Sequence, residues 1–181
     1  METMMAAGAI LSPIGIIICV LIPAIAILIA RRPQLSASRL VAGYIGALCA
    51  LAVVIAASSY VSPQDAVSVW HVPPDRYWGA LIELFEGTFI VAAFASIIGI
   101  SLVGIPVLVG LSNSGIATAP WLILISVAIS TAVAVLAYAL MRSSSNITFF
   151  GTLGLLVVTH GALAIGFSLA ARLPWAFRFK P

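Results

Sequence analysis

Apolar residues in this chain come in blocks of membrane-spanning length, not in the alternations of a strand or the one-sided stripes of a soluble helix. Thr3–Ala30 runs 28 residues without Asp, Glu, Lys or Arg, and Leu40–Gln64 runs 25. Gly87–Met141 runs 55 and Ser143–Ala171 runs 29. A helix crosses the hydrocarbon core with about 20 apolar residues, at about 1.5 Å rise per residue. Three blocks therefore hold one span each and the longest holds two, separated by the turn-forming cluster Ser112, Asn113, Ser114, Gly115, Thr118 and Pro120. The expectation is an all-α bundle of five transmembrane helices in one domain, near Ile10–Ala30, Leu40–Val61, Gly79–Val109, Pro120–Met141 and Ile147–Ala171. A closed β-barrel is the other way to cross a bilayer. It requires short alternating strands, which these blocks lack.

Composition narrows the class further. Hydrophobic residues make up 63% of the chain, and 8 basic plus 5 acidic residues give 13 charges in 181. An ordinary soluble domain of this length carries about 45, and the mean hydropathy is +1.24. A cytosolic enzyme, a nucleic-acid-binding domain, a disordered chain and a disulfide-stapled module are excluded. Cys19 and Cys49, with no CxxC spacing, read as buried thiols acting as small hydrophobes.

The few cations set an expected orientation, because cytoplasmic loops accumulate Lys and Arg. With five spans, Arg31, Arg32, Arg39, Arg172, Arg178 and Lys180 share one side, against Arg76 and Arg142 on the other. The N-terminus is then outside and the C-terminus inside, in a bacterial inner (cytoplasmic) membrane. Residues 62–78 become an extracytoplasmic loop and 172–181 a cytoplasmic tail whose alternating aromatics and cations suit the headgroup layer. The first span has no basic head and ends in Arg31-Arg32-Pro33, so it reads as a stable span and not a signal peptide. On the outer side Asn146-Ile147-Thr148 matches a glycosylation acceptor, a weak signal at the membrane surface.

Helices in lipid associate through small residues and buried hydrogen bonds. Ala42, Gly46 and Ala50 form such a stripe in the second span, Ala162, Gly166 and Ala170 in the fifth, and Ser126, Ser130 and Ala134 in the fourth, continuing to Tyr138. The stripes leave open whether the partner helix belongs to this chain or another. Pro13 and Pro23, and the Gly104-Ile105-Pro106 break in the third span, are expected to bend or open their helices.

Candidate chemistry is sparse. Glu83 and Glu86 lie three apart, on one helical face, where two carboxylates could share a proton on an ion or proton pathway. Alternatively they sit at the water boundary, since Gly87–Val109 alone is long enough to span, and Tyr77 and Trp78 then form an aromatic belt with Arg76 within pairing reach. His160, flanked by Thr159 and Gly161 near the centre of the fifth span, is read as a histidine packed against a hydroxyl such as Ser126 or Ser130. It could instead relay protons or be an axial ligand to haem or a pigment. No other cofactor and no metal site is expected. Trp70, His71, Asp75, Arg76, Tyr77 and Trp78 make the outer loop a candidate docking surface. HExxH, GxSxG and P-loop motifs are absent.

The leading expectation is a non-catalytic protein working by helix–helix association, as an accessory subunit of a membrane complex or a homo-oligomer, with the bilayer and other subunits or itself as partners and no nucleic acid. An ion or proton channel or transporter using Glu83, Glu86, His160, Gly104 and Pro106 is the alternative. A membrane-embedded protein protecting against a pore-forming toxin is a third.

Overall fold

The computed structural model describes residues 12–30, 36–60, 71–141 and 149–176. The described elements are α1 (Pro13–Ala30), α2 (Ala37–Ser59), a 3-10 turn (Pro74–Arg76), α3 (Tyr77–Gly99), a π-helical stretch (Ile100–Gly104), α4 (Ile105–Asn113), α5 (Ala119–Met141) and α6 (Phe149–Ala170). All are helical, and no strand occurs among the described residues. Three segments are long and apolar enough to cross a membrane: Pro13–Ala30, Ala37–Ser59 and the continuous rod Pro74–Asn113.

Local chemistry moves the helix ends from their expected places. The third rod starts at Pro74, not Gly79, because Pro73 and Pro74 pre-set the backbone for a helical entry. Tyr77 and Trp78 are therefore helical and do not belong to a loop. The rod ends past Val109, at a left-handed Gly115 (φ 73°) that lets Ile116 N–H bond Leu111 O at 3.0 Å and Gly115 N–H bond Ser112 O at 3.0 Å. α2 begins earlier than Leu40 because Ser36 Oγ accepts from Arg39 N–H at 3.4 Å and caps it.

α6 ends in the same kind of turn with an arginine in the glycine place. Arg172 takes a left-handed conformation (φ 54°), with Leu173 N–H on Ser168 O at 2.9 Å and Arg172 N–H on Leu169 O at 3.1 Å. A non-glycine residue there costs about 1–2 kcal/mol. Arg39 secures it: Nε donates to Ala171 O at 2.8 Å and Nη2 to Arg172 O at 2.6 Å. The next residues continue the clamp, as Ala119 N–H at the start of α5 donates to Pro174 O at 2.8 Å. The start of α2, the end of α6 and the start of α5 thus meet at one end of the bundle.

The most extensive helix pair is α2 with α6, and two of the small-residue stripes explain it. Gly46 and Gly166 oppose each other so closely that a Cβ on either would run into the other's carbonyl oxygen. A Cβ on Gly46 would also stand 2.5 Å from Ala170 Cβ, and one on Gly166 2.7 Å from Ala50 Cβ. Phe167 lies over Gly43 and meets Tyr44 edge-on at 6.2 Å between ring centroids. Leu40, Ala47, Leu51 and Leu163 complete this core. The stripes are therefore satisfied within the chain. In α5, Ser130 is buried and donates to Ser126 O at 2.7 Å, while the side chains of Ala134 and Tyr138 lie outside the described set.

α5 packs along α6, α3 packs on α2, and α1 rests more lightly on α2 and the third rod. α1 turns Gly15, Ala26 and Ala30 inward and leaves Ile14, Val20, Leu28 and Ile29 exposed. Cys19 is half-buried, and Cys49, expected inside, is exposed. It belongs to the outer row Val41, Ile45, Cys49 and Val53, all four exposed.

Candidate functional site

Pro106 shapes the site from a distance. It has no N–H for the Leu102 carbonyl four residues back, and its ring crowds that carbonyl. The chain widens in response: Ile105 N–H reaches Ile100 O, five residues back, and residues 100–104 wind as a π-helix. Such single wide turns recur at functional places in helices. Ser101, buried at this turn, donates from Oγ to Ile97 O at 2.7 Å and so accepts from Tyr44 OH, also at 2.7 Å. That bond fastens the third rod to α2.

Pinned on α2, the rod makes no extensive contact with α5. Between them lies a half-open groove of about 420 Å³. One wall is the small face of the rod: Ala92, Ala95, Ser96, Gly99, Val103 and Gly104. Leu122, Ile125, Ser126 and Ile129 of α5 form the other wall. Thr159, His160, Leu163 and Phe167 of α6, with Leu51 of α2, form the floor. A Cβ placed on Gly99 would meet nothing within 4 Å. The groove is thus open space and not a packing seam.

The ring of His160 binds its own helix and not a neighbouring hydroxyl, as Nδ1 lies 2.8 Å from Leu156 O. A carbonyl only accepts, so Nδ1 donates, and in the neutral ring Nε2 is the acceptor nitrogen. The anticipated bonds to Ser126 and Ser130 are not formed among the described residues. Ser130 is turned to its own helix, and Ser126 lines the groove.

The other sequence candidates scatter. Gly104 joins His160 in lining the groove, but Pro106 is exposed and outside the lining. Glu83 and Glu86 are exposed near the start of α3. Glu83 borders a separate shallow hollow with His71, Asp75, Arg76 and Gly79. Ala92, the first groove residue on α3, stands nine residues past Glu83, about 13 Å along the axis. No ion pair joins Arg76 to either carboxylate among the described residues. Gly87–Asn113 is 27 residues, about 40 Å of helix, so both carboxylates have room outside an apolar layer about 30 Å thick.

Of the docking loop, Trp70 lies outside the described residues. His71, Asp75, Arg76 and Trp78 are exposed, with Trp78 at 67%. Tyr77 departs from the expectation of an exposed belt: it is buried, edge-on to Trp78 at 5.1 Å, and supports that ring from beneath.

The groove was not foreseen as a site. Its sequence signal was present in Ala92, Ala95, Ser96 and Gly99, small residues three and four apart on the third span. What leaves this stripe unpaired is the pinning of the rod to α2. Compared with protein-family models, with curated proteins and with solved structures, the chain matches none.

Proposed function

We propose that the chain is a non-catalytic five-span protein of a bacterial inner membrane, N-terminus outside and C-terminus inside, that works by association. It acts as an accessory subunit of a larger membrane complex or as a homo-oligomer. Five spans are supported by the 23 residues of α5 and 22 of α6, each about 33–35 Å long, beside the three other apolar segments. Orientation is supported by the clustering of Arg39 and Arg172 at one end of the bundle and by the excess of cations in the segments joined there.

The observation that carries the association reading is the opposite end, where α3 begins. There Trp78, edge-on to buried Tyr77, stands exposed, and Asp75, Arg76 and Glu83 border a hollow on the same helix start. A rigid aromatic amid exposed charges is the composition of an interface hot spot. Since the α2 and α6 stripes are used inside the chain, partners are recognised here. Purification in mild detergent followed by mass spectrometry is expected to recover stoichiometric companions or an oligomer from wild type, and to lose them with Trp78→Ala or Arg76→Glu. A lone monodisperse monomer from wild type sinks the reading.

Transport is the alternative, and the meeting of Gly104 and His160 on one groove favours it. Its carboxylates stand apart from that groove, however. If it is right, Glu83→Gln or Glu86→Gln abolishes ion flux in proteoliposomes, and unchanged flux ends it.

A further inference from the structure

Several hydroxyl groups elsewhere in this bundle bond back to their own helix, while the buried hydroxyls of Thr118 and Ser168 have no partner among the described residues. Ser101, Ser114, Ser130 and Thr131 each donate to the carbonyl four residues back, at 2.7 to 3.1 Å. That is the usual escape of a hydroxyl from an environment without water. What sets the polar side chains of the groove apart is that they border a cavity with room for a ligand. Among the described residues, nothing bonds the hydroxyls of Ser96, Ser126 or Thr159, and His160 is bonded at Nδ1 alone. Four polar groups with hydrogen-bonding capacity to spare therefore line this apolar concavity.

Each property of the groove restricts what fills it. Its volume, about 420 Å³, falls in the range of small-molecule sites, roughly 300–1,000 Å³. The lining holds no Asp, Glu, Lys or Arg, so a carboxylate, phosphate or ammonium head has no counter-charge and is excluded by its desolvation. His160 Nε2 asks for a hydrogen-bond donor, and the three hydroxyls offer donors to an oxygen beside it. Gly99 and Gly104 leave the wall flat enough for a bulky apolar body.

We propose that this groove binds an uncharged, membrane-dissolved alcohol or phenol. Its hydroxyl donates to His160 Nε2 and its hydrocarbon body lies along the Gly99–Gly104 wall. The assignment requires the chain to sit in a membrane, but it does not depend on the partner proposed at Trp78.

The test uses full-length protein in lipid nanodiscs and hexadecanol carrying a photoreactive diazirine, with cross-links mapped by peptide mass spectrometry. Labelling is expected on the α3, α5 and α6 segments that line the groove. Unlabelled hexadecanol and a long-chain alkylphenol are expected to compete about tenfold better than hexadecyl methyl ether, which keeps the chain but cannot donate, a ratio set by one hydrogen bond in a water-poor site. His160→Phe removes the acceptor and erases that preference. Gly99→Leu, whose Cβ meets nothing within 4 Å, projects into the groove and abolishes labelling in protein that still unfolds cooperatively. The proposal is overturned by equal competition from the ether, by labelling that survives Gly99→Leu, or by labels confined to the outer surface. A visible absorbance band that purifies with the protein and vanishes in His160→Ala would overturn it in favour of a tetrapyrrole.

Discussion

α6 presents two faces that its neighbours treat in opposite ways. Toward α2, Gly166 meets Gly46 so closely that neither position has room for a methyl group. Toward the third rod, Thr159 and His160 border open space, and Gly99 on the facing wall touches nothing within 4 Å of where its Cβ would be. The α2 seam and the wall of the third rod that faces α6 both use small residues. Small side chains thus permit close approach without causing it. Closure on the α2 side follows from two stripes in register, while the third rod packs on α2, where the Tyr44–Ser101 bond ties it, and not on α5.

The comparison breaks most completely with Gly166→Val. The added carbon meets Gly46 O and stands against Ala50, and both belong to a backbone and a methyl group that cannot rotate away. Overpacking of this kind costs about 3 kcal/mol or more. The expected result is loss of the folded species in detergent, read by SDS-titrated unfolding. A fully stable Gly166→Val would mean that the seam is not as described.

Arg39→Ala comes next. It removes two charge-assisted bonds from the turn that ends α6 and leaves the Ala171 and Arg172 carbonyls without them. A loss of about 2 kcal/mol is expected, seen as a lower thermal midpoint. Arg39→Lys should recover only part of it, because an ammonium lacks the fork that reaches both oxygens. The groove lies further along α6, so its labelling by the photoreactive alcohol should persist in Arg39→Ala molecules that remain folded.

The seam was legible in the sequence and the groove was not, for a physical reason. Ala42-Gly46-Ala50 and Ala162-Gly166-Ala170 announce faces through spacing alone, and each needed only the other. The stripe at Ala92, Ala95, Ser96 and Gly99 has the same spacing, yet its fate depends on a hydrogen bond between residues 57 positions apart, Tyr44 and Ser101. The Gly104–Pro106 break was readable as a break because proline must remove a donor, though its form as a wide turn at Ile100–Gly104 is set by the surrounding packing. Glu83 and Glu86 were visible as charges, but their distance from His160 comes from the length of α3. The partner of His160 Nδ1 was misjudged because the nearest acceptor is its own backbone, which every helix supplies irrespective of sequence.

A smaller effect sharpens the account of that tie. Tyr44→Phe removes the bond between α2 and the wide turn while Ser101 keeps its bond to Ile97 O, so no buried group is orphaned. Stability is expected to fall by about 0.6 kcal/mol, the average for interhelical bonds in membranes. The informative readout is the groove. Freed from α2, the rod can approach α5, and photolabelling should weaken by more than so small a stability change would cause. Unchanged labelling would show that the rod is held by packing and not by this bond.

The smallest effect belongs to the same substitution made twice. Alanine is the better helix former by about 0.5–1 kcal/mol, so Gly→Ala should stabilise wherever the methyl group has space. Gly99→Ala has it, and its unfolding midpoint should stay level or rise slightly. Gly46→Ala does not, since the methyl group meets Gly166 O and Ala170, and its midpoint should fall. The pair isolates tertiary contact, because propensity acts equally on both. It also reports on occupancy. If Gly99→Ala is neutral after complete delipidation but destabilising in native membranes, the methyl group is competing with a molecule already in the groove. That molecule should then be recoverable by organic extraction from wild type and depleted in Gly99→Leu.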